Sequence, residues 1–472
     1  MRGRLSAAAL LMLAACAPSV HYQAPVVDVP ATFKENANWK PPQPQDEAVR
    51  GKWWEMFGSA ELNALEQQVD VSNQTLKEAA ARFAQARAAV RGARSALYPQ
   101  VTARSAIARV DPSSNARGAG DAYGDLVAGV DASYEIDAWG RIRQTVNASR
   151  AAAQASAGDL EFVRLSLHAE LATDYFMLHG LDREQRLLEQ AVAAYERALE
   201  LTQNRFRGGL VSEADVDLAE TQLEATRADV IDVQVDRAAF EHAIAVLVGQ
   251  PPSGFVVPIA PLDSTPPDIP AGVPSNILER RPDIAAAERR VAQAGAEVGV
   301  ATAAFYPILT LSGAVGFEST SFGSWLAAAS NFWSIAPSAL VTIFDGGRRH
   351  AVSDQARAAY AESEASYRGS VLDAFREVED QLSALRLLAQ EADVQARASA
   401  AAERSLTQAT NRYRGGVVTY LDVITAQAIA LSNERAQVSI LTRRMSASVR
   451  LLKALGGGWN VASLPQITNG TK

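Results

Sequence analysis

Apolar side chains recur at helical spacing between residues 60 and 96 (Leu62, Leu65, Val69, Leu76, Ala80, Phe83), in a background of Ala, Gln, Arg and Glu. That pattern predicts one amphipathic helix. It ends before Pro99, since a proline disfavours the α conformation in the residue before it. From Tyr98 the period changes to two. In the segment 126–137 the even positions are Leu126, Ala128, Val130, Ala132, Tyr134 and Ile136, and the odd ones include Asp131, Ser133, Glu135 and Asp137. This is a strand with one apolar and one largely polar face. A first strand, about 98–110, is separated from it by DPSSNARGAGDAYG, a loop composition. Farther along, Leu309, Leu311, Val315 and Phe317 alternate with Thr310, Ser312, Gly316 and Glu318. A long loop holding Phe322, Trp325, Phe332 and Trp333 is expected next, then a weaker strand at 335–345 that contains Pro337.

Each strand pair is followed by a stretch without proline, 140–206 and 347–413. Read as continuous helix at 1.5 Å per residue, each is about 100 Å long. Globular helices average three or four turns, so these predict a coiled-coil-like assembly. Each stops at a glycine pair, Gly208-Gly209 and Gly415-Gly416, suited to reversing the chain. Return helices are expected over 213–248 and 419–455, with Ser212 and Thr419 as N-caps.

The two halves are copies. Residues 204–217 read NRFRGGLVSEADVD and 411–424 read NRYRGGVVTYLDVI. Leu97-Tyr98-Pro99 answers Phe305-Tyr306-Pro307, and IDAWGR at 136–141 answers FDGGR at 344–348 with one residue dropped. A repeat of this length is a duplicated half-molecule rather than a short solenoid unit. The organisation is then a first repeat at 59–250 with its β-hairpin at 98–137, a linker at 251–274 with eight prolines, a second repeat at 275–456 with its hairpin at 306–345, and a tail at 457–472.

The first residues change the picture of location. Arg2 and Arg4 precede an apolar run, Leu5 to Ala15, of secretory-signal length and too short to span a bilayer. The run ends LAAC, which resembles a bacterial lipobox, with Cys16 as the lipidated residue after removal of a 1–15 signal peptide. Ala17 rather than Asp follows, which in the lipoproteins this resembles favours the outer membrane. Residues 16–58 then form a lipidated, extended leader, since Pro41-Pro42-Gln43-Pro44 cannot be helical. Cys16 is the single cysteine, so no internal disulfide forms. Net charge is −8 with no basic block, which argues against nucleic acid as a partner. No apolar run of 18 or more residues follows the signal, so the chain is expected either to be periplasmic or to cross a membrane as a β-barrel.

Four strands cannot close a membrane barrel alone, since such barrels use eight or more. An oligomer would have to share one. At this point the chain resembles the TolC-like outer-membrane factors of tripartite efflux systems, in their lipoprotein branch. The resemblance is carried by LAACA, WWEMFGSAELNALEQQV at 53–69, ALYPQV at 96–101, VPSNILERRPDIAAAERRV at 273–291 and the two tips. It implies a mainly α fold with a membrane β-barrel: a homotrimer whose 12-stranded barrel sits in outer-membrane lipid and continues as a long periplasmic α-helical barrel. It implies passive export from an inner-membrane pump, of RND type, through a periplasmic adaptor. By matching position, Gly209, Leu210, Val211, Gly416, Val417 and Val418 are implied adaptor contacts. Tyr420, Leu421 and Asp422 are the implied pore constriction, and Asp215 with Tyr413 an implied gate latch. Thr425 and Ala428 depart from relatives that carry an acid and an arginine there, which points to a weaker or differently built gate.

No catalytic residue, metal ligand or cofactor is expected beyond the lipid on Cys16. The five histidines (His21, His168, His179, His242, His350) form no HxxxH or HExxH pair, and there is no Walker loop or GxSxG. The competing reading is a non-conducting coiled-coil lipoprotein that tethers envelope layers. Paired alternating strands at equivalent places favour the channel, because a tether has no use for them.

Overall fold

The computed structural model of the chain describes residues 25, 27–36, 51–113, 115, 121–269 and 275–466. The expected signal peptide, Cys16, most of the leader, residues 270–274 and residues 467–472 lie outside the described residues. Repeat one comprises α1 (Ala60–Ser72), α2 (Gln74–Ser95), β1 (Gln100–Val110), β2 (Tyr123–Ile136), α3 (Arg141–Arg207) and α4 (Glu213–Leu247). Repeat two comprises α5 (Ser275–Arg280), α6 (Pro282–Ala303), β3 (Ile308–Ser319), β4 (Asn331–Leu340), α7 (Arg348–Arg414) and α8 (Tyr420–Ala454). Equivalent helices match in length: α2 and α6 have 22 residues each, α3 and α7 have 67, α4 and α8 have 35.

The single helix expected over 60–96 is two helices. Asn73 breaks it: its backbone is extended and its Oδ1 caps α2 by accepting from Leu76 N at 2.9 Å. A short amide side chain competes with the helical backbone in this way. Arg281 breaks the second repeat at the equivalent place, where Pro282 opens α6. Both breaks hold the end of a return helix. Asn73 Nδ2 donates to Leu247 O at 2.8 Å, and Arg281 Nη1 donates to Ala454 O at 3.2 Å. The chain after each return helix comes so near that only glycine fits: a Cβ on Gly249 (φ +71°) would lie 2.5 Å from Ser72 O, and one on Gly456 (φ +93°) would overlap Arg280 O.

The second hairpin also differs in bounds. β4 runs Asn331–Leu340 rather than 335–345, so Phe332 and Trp333 belong to the strand and not to the loop. Pro337 is tolerated because β4 is an edge strand.

The strands form one antiparallel sheet in the order β1-β2-β3-β4. Pairing brings like faces into rows. One face carries Ala103, Val130, Val315 and Trp333 in one row, and Tyr134, Leu311 and Pro337 in another. The opposite face carries Thr102, Asp131, Ala314 and Ser334, with Glu135, Thr310 and Ser338 beside them. Apolar side chains on the first face stand in the open: Trp333 is 73% exposed and Ile335 68%. The outer edges of β1 and β4 have no partner among the described residues.

The strand-to-helix motifs in the two repeats do the same work. Asp137 accepts from the N–H groups of Ile142 and Arg143 at 3.0 and 2.9 Å, capping α3. Asp345 accepts from Gly347 N and Arg349 N at 3.1 and 3.2 Å, capping α7. Among the helices α3 is central, packing on α2, α4, α6 and α8. The largest buried cluster gathers Trp53, Trp54, Phe57, Leu62, Phe176 and Met445 where α1, α3 and α8 converge.

Candidate functional site

The two hairpin tips have one construction. At the first, Gly209 N donates to Phe206 O at 2.8 Å and Leu210 N to Arg205 O at 2.9 Å. At the second, Gly416 N donates to Tyr413 O at 2.9 Å and Val417 N to Arg412 O at 2.9 Å. This is a Schellman pair, with Gly209 (φ +68°) and Gly416 (φ +73°) in the left-handed region. Leu210 (72% exposed) and Val417 (68%) project from the turns, while Val211 and Val418 are half-buried. An added Cβ at Gly209 meets nothing within 4 Å, and at Gly416 only Arg205 Nη2 at 3.9 Å, so alanine brings strain without clash. Gly209→Ala and Gly416→Ala should each cost about 1 kcal/mol locally. Hydrogen exchange at the Leu210 or Val417 amide should quicken by about fivefold; an unchanged rate would mean that the turn is held by something else.

Beyond each turn the chain enters a capping box. Ser212 N and Oγ donate to Asp215 Oδ2 at 3.0 and 2.8 Å. Thr419 N and Oγ1 donate to Asp422 Oδ2 at 3.2 and 2.9 Å. Ser212 and Thr419 are thus the N-caps that the sequence predicts.

The expected latch is not assembled within the protomer. Asp215 is occupied by its own helix cap, and the Tyr413 hydroxyl lies 3.4 Å from Thr202 Oγ1 instead. Tyr413 is buried with Ala219, Tyr420 and Val423, its ring 5.3 Å from that of Tyr420. Tyr420 is also corrected. It is 2% exposed and faces this cluster rather than an opening, and burial pushes its hydroxyl up to about 12. Of the three residues expected at the constriction only Leu421 (55% exposed) and Asp422 face outward. Thr425 donates to Leu421 O at 2.8 Å, and Ala428 is exposed.

One tip residue escaped the sequence reading. Arg205 Nη1 donates to Tyr413 O at 2.8 Å, and its guanidinium lies 4.5 Å from the centre of the Tyr413 ring. It fastens the first tip to the second. The signal was present: both tips carry Asn-Arg-aromatic-Arg before the glycines.

At the other end, two acids on the polar sheet face are paired. Arg104 Nε lies 3.1 Å from Asp131 Oδ2, and Arg141 makes a bidentate bond to Glu135 at 2.8 and 2.6 Å. The histidines are less isolated than their spacing indicates. His168 Nδ1 lies 2.6 Å from Glu66 Oε2, and His179 Nδ1 lies 2.9 Å from Asp182 Oδ2, all four residues buried. No group of three or more His, Cys, Asp or Glu placed to hold a metal occurs among the described residues, and no helix among them is long and apolar enough to cross a membrane.

Comparison with known proteins follows the same twofold plan. Residues 65–250 and 273–457 each match the outer membrane efflux protein family. The chain is 32% identical over 421 residues to OpmQ of Pseudomonas aeruginosa, a pyoverdine export outer membrane protein, covering 86% of this chain and 87% of that one. It is 27% identical to the cation efflux system protein CusC of Escherichia coli, over 95% of this chain and 97% of that one. The structure superposes on the outer-membrane channel OprN with a TM-score of 0.87 and 31% identity, over 94% of this chain and all of that one.

Proposed function

From the premise that the chain belongs to the outer membrane efflux protein family and is an efflux channel of the outer membrane, we propose how it is assembled and gated. Three copies share one barrel. The observation that carries this is a four-stranded sheet with an apolar exposed face and two edges unpaired among the described residues. Open edges are intolerable in hydrocarbon, where every backbone N–H and C=O needs a partner. Within the chain, β2 of repeat one pairs with β3 of repeat two. The same join, made by duplicate strands, sets β4 of one copy against β1 of the next. Three copies give twelve strands of 10 to 14 residues, long enough to cross a bilayer at a tilt. The exposed apolar rows then face lipid, and Arg104, Asp131 and Glu135 face a wet lumen.

Lipid on Cys16 would add an anchor beside the barrel. The tips are the far end of two helices of 67 residues, about 100 Å from the sheet. Their exposed Leu210 and Val417 beside open glycine backbone suit a periplasmic adaptor, which would connect the channel to an inner-membrane pump of RND type. The relatives' cargoes differ, pyoverdine for one and cations for another, which supports a generic conduit whose cargo the pump selects.

Leu421 and Asp422 form the gate in this reading, and Tyr420 supports it from behind. Asp422 commits Oδ2 to the Thr419 cap, which leaves Oδ1 to face the opening. Asp422→Asn keeps a cap acceptor and removes the charge. In a planar bilayer the wild type should give small cation-selective steps, and the Asn variant should lose that selectivity. Equal selectivity in both would remove Asp422 from the gate. A protein that does not insert at all would restore the tethering reading.

A further inference from the structure

Arg205 and Tyr413 make a directional clasp: repeat one supplies the guanidinium, and repeat two supplies a carbonyl and a ring. Tyr413 O already accepts from Gly416 N at 2.9 Å, and Arg205 takes its second lone pair at 2.8 Å. The duplication supplies these parts again. Arg412 stands where Arg205 stands, and Phe206 where Tyr413 stands. In the protomer this second set is unused. Arg412 is exposed, and its guanidinium has no hydrogen-bond or ion-pair partner among the described residues. Phe206 is 42% exposed, against 4% for Tyr413. Its carbonyl accepts from Gly209 N at 2.8 Å in the same turn geometry, and no second donor reaches it among the described residues.

A head-to-tail contact with both complements left open closes into a ring or propagates. Resting on the trimeric reading, we propose that Arg412 of each protomer clasps Phe206 of the partner subunit, donating to its carbonyl and stacking on its ring. The ring of tips is then fastened by six arginines, alternately within and between chains.

Two independent features agree. First, α3 packs on α8 within the chain, and the duplicate of that contact is α7 against α4 of the next copy, which brings the Arg412 side to the Phe206 side. Second, the polar detail of the first clasp is absent from both partners of the second. The Tyr413 hydroxyl meets Thr202 at 3.4 Å, and the corresponding residues are Phe206 and Ala409. A hydroxyl pair has become an apolar pair on both sides at once, so neither partner is left with an unpaired buried group. The guanidinium, the ring and the turn carbonyl, which the clasp needs, are kept. An arginine stacked on an aromatic face and bonded to a carbonyl is not replaceable by lysine on equal terms.

The test is cross-linking of the full chain in outer-membrane vesicles. Phe206→Cys with Arg412→Cys, treated with a short bismaleimide, should give covalent dimers and trimers on denaturing gels. Arg205→Cys with Tyr413→Cys should give only intrachain links, with the wild type controlling for Cys16. Native mass spectrometry of the untreated protein reads assembly separately. A trimer in which Phe206→Cys with Arg412→Cys yields no more interchain product than either single variant overturns the clasp and leaves the trimer standing. A monomer overturns both. Conductance gives a second reading. Arg412→Ala should open the channel further, and Arg412→Lys should recover only part of the closure. A channel unchanged by Arg412→Ala also overturns the proposal.

Discussion

Asp182→Ala should loosen the joint between the first hairpin and the linker by about 3–5 kcal/mol, the range for stripping one partner from a buried ionic network. Asp182 has a side chain with no exposure and receives three bonds. Arg237 Nε donates to Oδ1 at 2.6 Å, while His179 Nδ1 and Ala260 N approach Oδ2 at 2.9 and 3.0 Å. Arg237 also donates to Val257 O at 2.8 Å and bonds Glu241, whose Oε1 accepts from Val257 N at 2.8 Å. One carboxylate therefore joins α3, α4 and the linker. These donors hold the Asp182 carboxyl below the usual carboxylate range despite its burial. Its contribution is present above the unfolded-state pKa and is lost as pH falls through the depressed folded value. In the alanine variant the Ala260 amide should exchange about 100-fold faster or more, by the usual conversion of 1.4 kcal/mol per decade. Asp182→Asn keeps the volume but turns one acceptor into a donor that faces another donor, so it should recover only part. Unaltered exchange at Ala260 in the alanine variant would show that the linker is held by the Leu262 N to His179 O bond of 3.0 Å and by packing alone.

What could be read from the chain and what could not divides along the range of the forces involved. The strands, the long helices, the glycine turns and the caps at Ser212 and Thr419 follow from period and from residues within a few positions of each other, and these signals lie in the order of residues itself. The break at Asn73 was missed because the apolar period runs straight through it; Asn73 caps α2 through Leu76 and also bonds Leu247 O, far along the chain. Tyr420 was placed at the constriction with Leu421 and Asp422 by its matching position, but one step around a helix turns a side chain by about 100° and takes it into the Tyr413 cluster. Within the protomer Asp215 bonds a nearer partner than Tyr413, the backbone and hydroxyl of Ser212 only three residues away. The His168 pairing was invisible because Glu66 and His168 belong to different helices and no local pattern joins them, whereas His179 and Asp182 stand three residues apart on α3.

Glu66 should show the opposite pH behaviour to Asp182, and the contrast follows from the count of donors. Glu66 is wholly buried on α1, and only its Oε2 has a partner, His168 Nδ1 at 2.6 Å; Oε1 has none among the described residues. Trp54 stacks on the face of that imidazole, with ring centroids 4.4 Å apart. Asp70, 3.5 Å from His168 Nε2, is the other acid at the site. Burial therefore outweighs the single polar contact and raises the Glu66 carboxyl to about 7. A carboxyl with a raised folded pKa binds its proton more tightly in the native state than in the unfolded chain. Its stabilisation is complete below the unfolded value near 4.5 and is lost as pH climbs through about 7. The span corresponds to about 3 kcal/mol. Thermal unfolding of the wild type in detergent should accordingly weaken between pH 5 and 7.5, and Glu66→Gln, which cannot ionise at that position, should lose less stability across the same window. Taking the difference between the two profiles removes the contributions of Asp174, which burial raises to about 6, and of the other groups that both proteins share. Parallel profiles would mean that Glu66 stays ionised throughout as a carboxylate paired with a charged His168, and that the contact between α1 and α3 is a buried salt bridge rather than a shared proton.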